Sequence, residues 1–319
     1  MRIAHIAVAA YADRYARGDY HMVISPWLYS EPKYVAFYEN ALRPEGTIVI
    51  MDNGAFEGHM MAYEPWIRVV KRIKPNIVVL PDVILDPKQT LIRSRKAILQ
   101  IAEEGIGIPT VAFVTHGSCP ATVLRATEAW LNWWTTDGPF NLYDLMLAVP
   151  CPRIEFVSPA DWDTVHKRSE ILDEMLSFDY PIHLLGVPDV QDFLCNELPR
   201  EDIEFADTSL AFALGADGKN ITPNSVKLPL KHKRSFGDAL LILCNMNRRI
   251  LANWGTTRLV TEYNPMSILK LDTIPKNLDE IHPALSPLGW YDFVDDTFKY
   301  SLTKPDQAQG VLIKYGYKT

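Results

Sequence analysis

The chain has 319 residues, 48% of them hydrophobic and 22% charged, and a formal net charge of -7. This balance excludes disordered and fibrous classes, and the acidic excess argues against the broad basic coat of a protein that binds nucleic acid along an extended tract. A chain of this length exceeds the usual single domain unless it forms a barrel, where one domain of such size is normal. No apolar run reaches the about 18 residues needed to cross a bilayer. Charge interrupts the N-terminal MRIAHIAVAAYADRYARG too early for a secretory signal, so a cytoplasmic protein is expected. Cys119, Cys151, Cys195 and Cys244 are scattered, matching neither a disulfide framework nor a CxxC zinc site, and read as reduced thiols.

In chain order, short apolar and β-branched runs recur: HMVIS at 21–25, TIVIM at 47–51, NIVVL at 76–80, TVAFV at 110–114, LMLAV at 145–149, IHLLGV at 182–187 and IEFA at 203–206. They have strand length and are almost wholly apolar, as parallel strands covered on both faces must be. Helical patterns lie between them at 63–73, 87–104, 120–134, 161–176 and 190–197. This alternation predicts either a closed (β/α)8 barrel or an open doubly wound sheet, and the absence of a GxGxxG fingerprint favours the barrel. One longer amphipathic helix is predicted over 234–252. Residues 1–255 are therefore read as a TIM-barrel domain, and 256–319, irregular and aromatic, as a C-terminal elaboration packed on it.

Polar residues punctuate the ends of these runs: Asp52-Asn53-Gly54-Ala55-Phe56-Glu57, Pro81-Asp82, Thr115-His116-Gly117, Gly186-Val187-Pro188-Asp189 and Asp207-Thr208-Ser209. In parallel α/β folds the C-terminal strand ends are where catalytic side chains collect. A single strand-end aspartate is as readily a helix cap or an Asx-turn, and Asp86, Asp161 and Asp189 are read as caps. Asp52 and Asp207 differ, each standing directly after an apolar strand in the first position able to face a barrel mouth. Two such carboxylates can divide the work, one attacking and one moving a proton. By itself His116 reads as a turn histidine, a general base or a metal ligand, and Phe56 as core packing or a stacking platform. No HxH or HExxH motif accompanies them, so neither a metal nor another cofactor is expected.

Taken in order, these segments resemble the queuine and archaeosine tRNA-guanine transglycosylases, TIM-barrel enzymes that exchange guanine for a 7-deazaguanine. IVIMDNGAFE is similar to the family's Asp-Ser-Gly-Gly-Phe/Tyr-Gln strand end. VVLPDVILD resembles the segment with the base-recognising aspartate, and VAFVTHG the family's Gly-Ile-Val-Gln-Gly. LMLAVP falls where the family has its Gly-Gly-Leu strand, and IHLLGVPD resembles Leu-Met-Gly-Val-Gly. IEFADTSLAFALGADGKNIT resembles the Phe-Asp-Cys-Val-x-Pro-Thr-Arg segment with the nucleophile. The resemblance implies a pentosyltransferase in which Asp207 is the nucleophile and Asp52 the general acid/base. It also implies that Phe56 stacks on the base, Asp82 reads its polar edge, His116 replaces a glutamine, and Leu185 and Gly186 line the pocket opposite Phe56.

The family's Cys-x-Cys-x-x-Cys zinc site is missing, since Cys244 alone follows Asp207, and so is its Pro-Thr-Arg. In this respect the chain looks more like the divergent branch that inserts 7-deazaguanines (preQ0 or preQ1 type) into DNA, found in phages and modification islands. DNA and a free deazaguanine are the expected partners, with tRNA as the alternative polymer and, for a phage protein, the host cytoplasm as location. A second alternative is a barrel lyase or isomerase acting on a small metabolite, with Asp52 and Asp207 as acid and base. Lys219, Lys231, Lys233, Arg234 and Arg248 mark a local basic face for nucleic acid, or else an ordinary solvated surface.

Overall fold

The protein is described by a computed structural model covering residues 2–6, 11, 15, 20–39, 46–55, 61–84, 86–117, 120–150, 171–172, 174–187, 203–222, 225 and 238–256. The strands are β1 (Arg2–His5), β2 (Tyr20–Ile24), β3 (Ile48–Asp52), β4 (Ile77–Val79), β5 (Thr110–Val114), β6 (Asp144–Pro150), β7 (Ile182–Leu185) and β8 (Ile203–Thr208). Each pairs in parallel with the next and β8 pairs back onto β1, closing a barrel of eight strands. The described helices are α1 (Ser25–Ser30), α2 (Pro32–Glu39), α3 (Tyr63–Ile73), α4 (Pro87–Glu103), α5 (Pro120–Thr136), α6 (Leu210–Ala216) and α7 (Asp238–Thr256). The fold is thus a (β/α)8 TIM barrel. None of the described helices is long and apolar enough to cross a membrane.

The near-continuous apolar strands divide their side chains between two cores because successive residues point to opposite faces. Inside the barrel lie Ala4, Met22, Ile50, Ile77, Val79, Ala112, Val114, Met146, Ala148 and Phe205. Between the strands and the helices lie Val23, Val49, Met51, Val78, Val111, Phe113, Leu147, Leu184 and Ala206. The outer layer is anchored by Trp130 of α5, fully buried and stacked on Phe113 with ring centroids 4.3 Å apart. At the N-terminal end of the barrel Tyr20 meets Phe205 edge-on, and the Arg2 guanidinium lies over both rings. That aromatic floor leaves the opposite end for chemistry.

Several elements differ from the sequence reading. RIAH at the N-terminus is a strand, although it is short and carries Arg2 and His5; hydrogen bonding to β2 and β8 on its two sides decides its conformation. β3 and β8 run through Asp52 and to Thr208, so both aspartates belong to their strands rather than following them. The helix expected over 234–252 is described over Asp238–Thr256 and so runs four residues further at its C-terminal end, while 234–237 lie outside the described residues. Asp86 caps α4, its Oδ1 accepting from the Gln89 amide at 2.9 Å. The caps expected at Asp161 and Asp189, the helix at 190–197, most of that at 161–176, and the extension beyond 256 lie outside the described residues.

A register shift interrupts β7 and β8: Ile182 pairs with Ile203 but His183 pairs with Phe205, leaving Glu204 as the additional residue on β8. Its effect is on direction. Ile203 and Ala206 both lie in the outer core while Phe205 lies inside, a pattern that simple alternation from Ile203 would reverse. Past the shift, alternation resumes with Phe205 and Asp207 pointing inward.

Candidate functional site

Asp207 sits near the C-terminal end of β8, one inward layer above Phe205 and 2% exposed. Its Oδ1 lies 2.8 Å from His183 Nε2 and accepts the Gly186 amide at 2.9 Å. Gly186 directly follows β7 with φ 69, in the left-handed region that favours glycine, and this turn aims its N–H at the carboxylate. The second oxygen, Oδ2, has no partner among the described residues. One oxygen is held by two donors and the other remains available to a ligand.

Asp52 ends β3, two residues past the inward Ile50 and therefore inward itself. Its Oδ2 accepts the Gly54 amide at 3.1 Å. The two carboxylates also share a level. Register leads from Asp207 to Ala4, from Ala4 to Tyr20 and from Tyr20 to Ile48. A barrel of shear eight steps about one residue per strand, so three strands bring the level of Asp207 to about Met51, next to Asp52.

A second polar group spans the ends of β3, β4 and β5. Asn53 Nδ2 donates to Asp82 Oδ1 at 2.6 Å and to the Leu80 carbonyl at 2.9 Å, while its Oδ1 accepts the Ala55 amide at 2.8 Å. His116 Nε2 engages the other oxygen of Asp82, and Asn53, Asp82 and His116 are all buried. Each Asp82 oxygen thus already holds one protein donor and keeps one lone-pair site for a ligand. Leu185, half-buried, packs against the inner core at the end of β7.

Asp52, Asp82, His116, Leu185, Gly186 and Asp207 are therefore brought to the C-terminal ends of β3, β4, β5, β7 and β8. Phe56, Lys231, Lys233 and Arg234 lie outside the described residues. Lys219 is exposed and ion-paired with Asp217 at 2.9 Å. Arg248 corrects the basic-face reading: it is 5% exposed, because α7 packs against α6 and β1 and turns this residue inward near His5 and Tyr15. Burial pushes its guanidinium down to about 10. Two residues of the site have no role in the sequence reading, Asn53 and His183. The signal for His183 is a histidine inside an otherwise apolar strand; for Asn53 there is only its place beside Asp52.

Among the described residues no three His, Cys, Asp or Glu side chains are placed to hold a metal ion. No known protein-family model and no curated protein matches the chain. The fold and site define a (β/α)8 barrel with two inward carboxylates and two Asp–His pairs at its mouth.

Proposed function

We propose that the protein is a base-exchange transglycosylase that replaces guanine in DNA with a 7-deazaguanine through a covalent glycosyl-aspartate. The observation that carries this reading is Asp207: a buried, inward carboxylate with Oδ1 fixed by His183 and Gly186 and Oδ2 without a partner among the described residues. Such a group is pre-oriented as a nucleophile. The ordered resemblance of the strand-end motifs supports the choice of guanine as leaving group.

In the first half-reaction Asp207 Oδ2 bonds to the anomeric carbon and the bond to guanine N9 breaks, the electron pair leaving with the base. Asp52 gives the departing guanine a proton. In the second, the deazaguanine N9 attacks the same carbon, the ester bond breaks, and Asp52 recovers its proton from N9–H. Protons balance over the cycle. Asp82 and His116 meet the polar edge of the base, Phe56 supplies the stacking face, and the nucleotide leaves its stack at a cost of about a few kcal/mol.

The test is incubation with duplex DNA, single-stranded DNA or tRNA and a labelled 7-deazaguanine, following incorporation. Label entering DNA is the expected result. Label in tRNA alone moves the proposal to the tRNA substrate, and no label in any polymer overturns it.

A further inference from the structure

His183 lies on β7 at the level of Phe205, one inward layer below Asp207, and is 1% exposed. A substrate at the barrel mouth meets Asp207 first, so His183 acts through that carboxylate. Its Nε2 is 2.8 Å from Asp207 Oδ1, and its Nδ1 is buried with no hydrogen-bond partner among the described residues. A carboxylate only accepts, so Nε2 must carry the proton of this contact; a proton on Nδ1 would be a buried donor with nothing to receive it. The ring is thereby restricted to one tautomer.

We propose that His183 is a positioning residue, held as the Nε2–H tautomer, that ties down Oδ1 of Asp207 and so selects Oδ2 as the attacking atom. The proposal rests on the base-exchange reading for what Oδ2 attacks. Two fixed donors on Oδ1 prevent the carboxylate from rotating, so the nucleophile meets the anomeric carbon without first being ordered. The register shift between Ile182 and His183 is what brings His183 beside Phe205 and beneath Asp207. The Gly186 amide alone would leave one donor and a freer carboxylate.

Two measurements test this, one with substrate and one without. In the first, the single-turnover rate of the trapped glycosyl-enzyme is compared for wild type, His183→Gln and His183→Leu. Glutamine places an amide donor near the position of Nε2, whereas leucine has none. His183→Leu should slow adduct formation about ten- to a hundredfold, the range for one hydrogen bond to a charged group, with KM within about twofold. His183→Gln should stay within about threefold of wild type. Equal rates for His183→Leu and wild type, or a His183→Gln enzyme as slow as His183→Leu, overturn the proposal.

In the second, the 15N shifts of the His183 ring are read in the substrate-free protein. A proton on Nε2 and a bare Nδ1 are expected, and a proton on Nδ1 overturns the assignment. Wild-type protein that forms no adduct with any polymer overturns base exchange and with it the role in attack. The ring shifts then still decide separately whether His183 holds the carboxylate.

Discussion

Replacing Asp207 with asparagine or leucine separates its chemical duty from its structural one. Asparagine offers an oxygen that accepts from His183 Nε2 and Gly186 N, and its amide nitrogen occupies the place of Oδ2, which meets no donor among the described residues. Two hydrogen bonds to a charged group, about 1.5–3 kcal/mol each, become neutral ones of about 1 kcal/mol each, while removing a buried charge works in the opposite direction. The net change in stability should stay within about 2 kcal/mol. Leucine leaves both donors buried and unsatisfied, at about 1–3 kcal/mol each, so Asp207→Leu should be about 2–6 kcal/mol less stable than wild type. Urea denaturation measures both, and denaturing gels after incubation with guanine-containing DNA measure the adduct. Both variants should lose the adduct entirely. An adduct that persists in Asp207→Asn, or equal stabilities for the two variants, refutes the assignment of this carboxylate and its partners.

Three further outcomes are expected. Asn53→Ala removes the donor to Asp82 and Leu80 and the acceptor for Ala55, and should lower urea stability by about 2–4 kcal/mol; an unchanged midpoint would show that this bridge contributes nothing. Burial, then the charges of Arg248 and His21, holds His5 well below the usual histidine value. Its folded form therefore resists a proton that the unfolded chain takes up below about 6.5, so stability falls with falling pH, by at most about 1.4 kcal/mol per unit. Between pH 6.5 and 5 the wild type should lose up to about 2 kcal/mol more than His5→Leu in paired urea titrations, and parallel pH profiles would contradict this. Finally, a Cβ on Gly215 of α6 would collide with the backbone of Cys244 on α7. Gly215→Ala should force these helices apart and cost about 1–3 kcal/mol, read as a lowered Tm.

Seven of the eight strands were legible as β-branched runs because burial on both faces imposes an apolar sequence. RIAH escaped because four residues with a charge at one end and an imidazole at the other carry no periodic signal, and only pairing with β2 and β8 makes them a strand. The strand-end aspartates were legible because the fold class itself says where carboxylates collect. Their partners were not: Asn53 and His183 act through spacing between strands, which one sequence does not display. Arg248 shows the reverse failure. Its charge suggested a surface, but the packing of α7 on α6 and β1 decides which helix face is turned inward.

The additional residue at Glu204 makes the direction of Asp207 a matter of parity. Between the shift and the aspartate the count is even, so Phe205 and Asp207 share a face. A residue gained or lost before Ile203 changes the length of the preceding connection and leaves that count intact. One residue inserted between Phe205 and Asp207 exchanges the carboxylate with Ala206, sending a charge into the layer under the helices and an alanine side chain into the barrel mouth. The strand therefore tolerates drift in length at its floor end and almost none in its last turn of sequence.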